Sequence, residues 1–439
     1  MPLNRLPVEL LSLVLKSIDS PLDLLSLIIA SSPCRAAYAS APSLFLASVL
    51  RNAIQPDAMP HALAALRVPV ENPVRPEPAV ASFLAEYFGR CSFEFPVNMP
   101  GLKSLCRLYN RVSFFINDYS SRAIRLLVTE SSSETVSPLS ATERARLQRA
   151  FFRYEIYCQV FPIHDLFADP DPLVRAPAQF SRFLNFLEAW EVEEISCVHC
   201  YFMSLVGGCL DRVEDQLVEA ALSSPGVSID EEVTSSEGVD MVGFDSLELD
   251  KLRLFSRDIT SHGHAAVSYI ASMGSSFVYQ LIHADDEKLK DMIRDFDSPI
   301  RDFIPEAIDS APRIDRMPPG TTVTHDAQKK ENPLCANRGY SLVEHRKGNY
   351  YLPIKIALKY YALRERGFVF WDTGRICQRQ AMNSLQEAVC MDKEAAHQLY
   401  DRAPRKSVEE RLEGIRVPRI ARDRLMDEFG HPDDEDFKG

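Results

Sequence analysis

Apolar residues in this chain recur every three to four positions in one long segment after another, the spacing that collects them on one face of an α-helix. The best-marked case opens with a capping box, Ser140-Ala141-Thr142-Glu143, and continues with Leu147, Ala150, Phe151, Tyr154, Tyr157 or Cys158, and Phe161. Gly101 to Val128 repeats the pattern with Leu102, Leu105, Leu108, Val112, Phe115, Tyr119, Ile124 and Leu127. From Pro177 a third run carries Phe180, Phe183, Leu184, Leu187, Trp190, Ile195, Val198, Phe202 and Leu205 on one face, and Gly207-Gly208 reads as its stop. The expected fold class is all-α.

The N-terminal stretch from Leu3 to Ser40 is patterned differently. It holds three short helical patterns in under ~45 residues, too few to make a stable core of their own. Leu6, Leu10, Leu11, Val14, Leu15 and Ile18 mark one face of the first helix. Pro7 suits the opening turn, where its missing N–H is not needed, and Glu9 favours the positive helix end. Ser20-Pro21-Leu22-Asp23 then restarts the chain as a second capping box. The helix that follows, Leu22 to Ala30, is apolar nearly all round, with Leu22, Leu24, Leu25, Leu27, Ile28 and Ile29. Such a helix must be covered on more than one side.

The order Leu6-Pro7-x-Glu9-Leu10-Leu11, then Leu15, Asp23-Leu24 and a third short helix, resembles the F-box. That resemblance implies a three-helix module that docks onto a Skp-type adaptor, and so onto a cullin–RING ubiquitin ligase. It places Leu6, Pro7, Leu10, Leu11, Leu15, Leu24 and Leu25 on the family's helical pattern; with Glu9 these are the expected adaptor-binding residues. The third helix departs from the family, where a basic residue followed by tryptophan is common; here it reads Ser32-Pro33-Cys34-Arg35-Ala36-Ala37-Tyr38. The expected organisation is an F-box-like module over 1–50, packed on or beside a larger irregular helical body over 51–430, and an acidic tail over 431–439. Segments 151–158, 189–195 and 363–372 also resemble stretches of the F-box-like proteins that filamentous fungi encode in number, a likeness that implies no activity.

The body has further helical patterns at 41–50, 56–67, 244–270, 277–283 and 287–296, and another through Tyr351, Ile354, Leu358 and Tyr361 that Gly367 ends. The aromatic cluster Phe368-Val369-Phe370-Trp371-Asp372 follows and reads as core. A proline-rich stretch at 69–78 interrupts the helices, since each proline removes a donor; it reads as a domain linker or a stiff surface loop, the loop being favoured because Phe83, Leu84, Tyr87 and Phe88 follow at once and need burial. Irregular loops are expected near 129–140, 223–243 and 309–348, and a late capping box stands at Ser407-Val408-Glu409-Glu410. A net charge of -13 and a pI near 5.4 argue against a general nucleic-acid or anionic-membrane surface. No segment approaches the ~20 apolar residues of a membrane span, no signal peptide is evident, and ten scattered cysteines read as reduced thiols. The expected location is cytoplasmic and/or nuclear.

Chemistry is sparsely marked. The helix after Ser140 carries Arg144, Arg146, Arg149 and Arg153, read as a solvated face beside neighbouring acids, with a site for an acidic or phosphorylated partner as the other reading. Cys197-Val198-His199-Cys200 lacks the second ligand pair of a zinc site, and packing thiols are expected. His262-Gly263-His264, and His283 with Asp285-Asp286, lack further ligands at motif spacing. Phosphate-loop, dinucleotide, zincin and nucleophile-elbow motifs are missing. No catalytic residue, metal or cofactor is therefore expected. The leading expectation is an adaptor that recruits an unknown protein substrate through its body; the alternatives are an interaction protein outside any ubiquitin ligase and a helical metal-dependent enzyme.

Overall fold

A computed structural model describes residues 6–69, 77–89, 93–128, 137–161, 175–222, 263–294, 303–309, 335–344, 361–391 and 395, and among them eighteen helices form and no strand. No helix among the described residues is long and apolar enough to cross a membrane. The expected loop at 223–243, most of the proline-rich stretch, the helix over 351–360, the Ser407 capping box and the acidic tail lie outside the described residues.

The chain opens with α1 (Val8–Ser17), α2 (Pro21–Ala30), α3 (Ser32–Ser40) and α4 (Pro42–Ala53). Serine caps start the second and third: Ser20 Oγ accepts from Asp23 N at 3.2 Å, and Ser31 Oγ from Cys34 N at 3.4 Å. A proline stands in the first turn of each, where no donor is lost. These helices share a small core of Leu11, Leu15, Leu24, Cys34, Ala37, Phe45 and Val49. Helix α4 belongs to two cores. Phe45 and Val49 face the small one, while Leu46, Leu50 and Ala53 face the large one that runs through the rest of the molecule.

Two side-chain amides fasten the end of α4. Asn52 Nδ2 donates to Lys16 O at 2.7 Å and to Ile18 O at 2.9 Å, satisfying carbonyls at the end of α1 that have no partner within that helix. The buried Gln148 donates from Nε2 to Ala53 O at 3.0 Å and accepts Gln55 N–H on Oε1 at 2.7 Å. One amide thus joins α4 to the N-terminal helices and the other joins it to the body.

The body is built on α7 (Met99–Leu127), α8 (Ala141–Val160) and α10 (Ala189–Leu222). Every residue of the expected α7 stripe is buried. The Ser140–Glu143 capping box at the head of α8 is present in both directions. What the stripe on α8 did not reveal is that the opposite face is buried too. Arg146, Arg149 and Arg153 are 1%, 0% and 7% exposed, so they do not form a solvated face, and only Arg144 of that row is exposed. Nor do the three buried arginines face an outside partner.

Their partners come from far along the chain. Arg149 grips Glu194 of α10 with two prongs, at 3.0 and 2.5 Å, and stacks over the Trp190 ring at 4.9 Å. Arg153 pairs with Glu191 at 2.7 Å. Arg146 bonds to Asp372 at 2.9 Å and to Phe370 O at 3.2 Å. Glu143 accepts from Arg375 through both carboxylate oxygens at 2.8 Å and from Asp372 N at 3.1 Å. Burial pushes against the Glu143 carboxylate, yet Arg375 and the N–H groups of Ser140 and Asp372 outweigh it and hold it below its ordinary value. For Glu194, burial wins over Arg149 and Arg153 and its carboxyl sits above the ordinary value.

The run expected from Pro177 is not one helix. It breaks into α9 (Ala176–Arg182), a 3-10 turn (Leu184–Phe186) and α10. Phe183 leaves helical geometry (φ −132, ψ −63), and the Glu191 carboxylate then accepts Glu188 N–H at 2.9 Å, a cap that starts α10 afresh. At the other end α10 runs on through Gly207-Gly208. Each glycine costs a helix interior about 1 kcal/mol, and the burial of Cys209, Leu210 and Val213 beyond them outweighs it.

Shorter helices complete the body: α5 (Met59–Ala65), α6 (Glu77–Phe88), α11 (Gly263–Ala271), α12 (Ser275–Ile282), α13 (Asp286–Arg294), α14 (Ile304–Asp309), α15 (Arg338–Glu344), α16 (Thr373–Ile376) and α17 (Arg379–Cys390). The stretch 309–348, expected to be irregular, therefore contains a helix. Its start is Asn337, buried, which caps Tyr340 N at 2.8 Å and donates to Phe368 O and Trp371 O at 2.8 and 3.0 Å. Phe368, Phe370 and Trp371 are buried in the large core.

Removing one member of a buried ion pair strands the other. Glu194→Ala is expected to lower stability by about 3–5 kcal/mol, while Arg149→Met with Glu194→Leu recovers most of that loss. Urea unfolding of the two variants checks it.

Candidate docking surface

Helices α1 and α2 each bury one side only. On α1 the small core takes Leu11 and Leu15; on α2 it takes Leu24, with Leu27 and Ile28 half-buried against it, and Pro21 is buried at the start of the helix. The opposite sides are apolar and open. Leu10 and Leu13, three residues apart on α1, are 46% and 61% exposed. Leu22, Leu25 and Ile29, at positions i, i+3 and i+7 of α2, are 60%, 53% and 70% exposed and so lie along one stripe. The expectation that α2 needs cover on more than one side holds for its sequence, and the described chain supplies that cover on one side alone.

Val8 and Leu44 are exposed as well, so seven large apolar residues stand open between positions 8 and 44. The rest of the described chain has five, at Val97, Phe114, Leu126, Phe186 and Met273. Scattered exposed apolar residues need no explanation, whereas such residues concentrated on two successive helices make a candidate interaction surface. Covering a leucine fully is worth about 1.5–3 kcal/mol, so a partner that covered these stripes would gain several such increments.

The residues expected to bind an adaptor divide into two groups. Pro7, Glu9, Leu10 and Leu25 are exposed, and Leu6 is half-buried at the entrance to α1. Leu11, Leu15 and Leu24 are 3% exposed or less and hold the module together from within. Leu13, Leu22, Ile29, Val8 and Leu44 were not among the residues expected to bind an adaptor. Leu13 falls off the apolar face assigned to α1, and Leu22 and Ile29 are hidden in a helix that is apolar all round. Subtracting the core-facing set from each helix would have found them.

Other marked residues turn inward or elsewhere. Cys197 and Cys200 are buried in the body, where burial raises both thiols, Cys200 to about 11. Between them His199 lies in a buried chain, with Nδ1 3.1 Å from Tyr154 OH and Nε2 3.1 Å from Ser268 Oγ. Tyr154 donates its proton to Ala271 O at 3.0 Å, so it accepts from His199. His283 is exposed, bonded to Tyr279 O at 2.8 Å and stacked on the Tyr279 ring, and His262 lies outside the described residues. Among the described residues, no group of three or more His, Cys, Asp or Glu side chains is placed to hold a metal ion. Comparison with protein-family models, curated proteins and solved structures finds no match for this chain.

The two groups of leucines respond to substitution in opposite ways. Leu15→Ala or Leu24→Ala, by opening a cavity in the small core, is expected to cost about 2–5 kcal/mol. Leu13→Ser with Ile29→Ser is expected to leave the melting temperature within a few degrees of the parent, read by circular dichroism.

Proposed function

We propose that the chain is an F-box-like adaptor: the outward sides of α1 and α2 dock a Skp-type adaptor of a cullin–RING ubiquitin ligase, and the helical body recruits a protein substrate. The observation that carries this reading is a module with its own core and exposed apolar stripes on the same helices that carry the F-box-like pattern, Leu6-Pro7 through Leu25. The module would span about residues 1–50, and the work would be done in the cytoplasm or nucleus. On this reading the protein makes and breaks no bonds. It raises the effective concentration of a substrate lysine near ligase-bound ubiquitin.

A second reading is favoured by α3. There Cys34 and Ala37 fill the small core, and no tryptophan stands where many F-boxes have one. The same exposed stripes would then serve a partner that belongs to no ubiquitin ligase.

Co-purification separates these readings. Pro7→Ala with Leu10→Asp is expected to abolish recovery of the adaptor while the helical circular-dichroism signal survives. Undiminished adaptor recovery from that double variant overturns docking through α1, and a wild-type chain that brings down a partner but no adaptor or cullin favours the second reading.

A further inference from the structure

Helix α7 carries its charge against the sign of the chain. Lys and Arg number 49 in the whole sequence and Asp and Glu 62, yet α7 holds Lys103, Arg107, Arg111, Arg122 and Arg125 against a single acid, Asp118. At about 3.6 residues per turn all five cations fall within an arc of about 100°. Phe114, 38% exposed, falls in the same arc. Lys103, Arg107, Arg122 and Arg125 are exposed and Arg111 is half-buried, so this is the side of α7 that the described residues leave open.

The fold answers little of this charge. Among the described residues, Lys103, Arg107 and Arg125 have no ion-pair partner. Arg111 reaches Glu155 only at 3.9 Å, and its buried Nε has no hydrogen-bond partner. Glu155 is meanwhile bonded to Ser275 and Gln159. Asp118 binds Arg122 at 2.8 Å and accepts from Tyr201 OH at 2.7 Å, so it serves one cation of the stripe. Lys103, Arg107 and Arg111 also stand at successive i, i+4 positions, where like charges repel. A helix that only had to fold gains nothing from that arrangement.

An aromatic platform interrupts the stripe midway. Phe114 stands eleven residues from Lys103 and eleven from Arg125. Its ring meets Tyr279 of α12 and His283 just beyond that helix, with centroids 5.3 and 5.2 Å away, and those two rings stack at 4.2 Å. The acids that follow His283 are engaged on α13. Asp285 caps Lys288 N at 2.9 Å, Asp286 faces Arg212 at 3.6 Å, and Glu287 faces Lys290 at 3.9 Å.

We propose that the open side of α7 docks an acidic segment of a partner protein, with carboxylates along both cationic ends and one bulky apolar side chain against Phe114. From Lys103 to Arg125 the stripe is about 33 Å long, the reach of about ten extended residues. Cations spaced a turn or more apart over that length match distributed Asp and Glu side chains rather than one phosphate. The net charge of -13 disfavours nucleic acid as the occupant. This deepens the proposed function, on which it rests for naming that segment as the target's; the binding itself needs no adaptor.

The test is fluorescence anisotropy of the full chain with a labelled peptide of about ten residues, Asp and Glu flanking a central Phe. The expected result is saturable binding that weakens as salt is raised, because exposed charges are screened. Lys103→Glu with Arg107→Glu and Arg125→Glu weakens it by about tenfold or more, and Phe114→Ala by several-fold, with the helical circular-dichroism signal unchanged. Leu13→Ser with Ile29→Ser leaves the peptide's affinity as in the parent, so failure of adaptor docking and failure of peptide binding are separate results. Three outcomes overturn the proposal: a parent that binds the acidic peptide no better than its Asn and Gln counterpart, a charge-reversed variant that binds as tightly as the parent, or tighter capture of a singly phosphorylated peptide or a single-stranded oligonucleotide.

Discussion

The fold depends on giving charged side chains partners inside a helix that touches almost no water. Helix α8 is buried on nearly every side and yet carries Glu143, Arg146, Arg149, Arg153 and Glu155. Taking such groups out of water costs several kcal/mol per ion unless a good partner waits for each. The structure supplies partners from three directions: α10 with Glu191 and Glu194, the 370–375 segment with Asp372 and Arg375, and the start of α12, where Ser275 donates to Glu155. Each pair needs one geometry, so the charges on α8 select where its neighbours must stand. Apolar packing then fills in around them.

The N-terminal helices obey a different logic. Their core is small and made of leucine, alanine, cysteine, phenylalanine and valine, with no ion pair in it. It holds the helices in place but leaves their outward sides unpaid for, and those sides are apolar. A soluble domain that only needed to fold would gain nothing from Leu13, Leu22 and Ile29 in the open. That contrast, a body that pairs the buried charges of α8 and a module that leaves apolar stripes uncovered, is the physical basis for proposing that the module docks a partner.

Much of the helical plan was legible in sequence because capping and periodicity are local. The Ser20 and Ser140 caps, the α7 stripe and the leucines of the small core can all be read within a dozen residues. The environment of α8 could not be. Its arginines at helical spacing look like any solvated row until Glu194, 45 residues on, and Asp372, more than 220 residues on, are brought beside them. The glycine pair in α10 misled for the same reason, since its local cost is visible and the burial that overrides it is not. At the docking surface, sequence showed that α2 was too apolar for one covered side; only packing showed which side stayed open.

Helix α4 gives this architecture one more property. Its twelve residues serve two cores at once, and the amides of Asn52 and Gln148 clasp its last turn from opposite directions. Among the described residues, α4 therefore offers no seam at which the first helices can be cut from the body. A truncation at residue 50 would take Leu46 and Leu50 out of the body along with the module, so fragments from either side would each be missing part of an interior. Chimeras and deletions that treat the first helices as a detachable cassette would report on damage as much as on function, and single side-chain changes on the outward faces are the cleaner instrument.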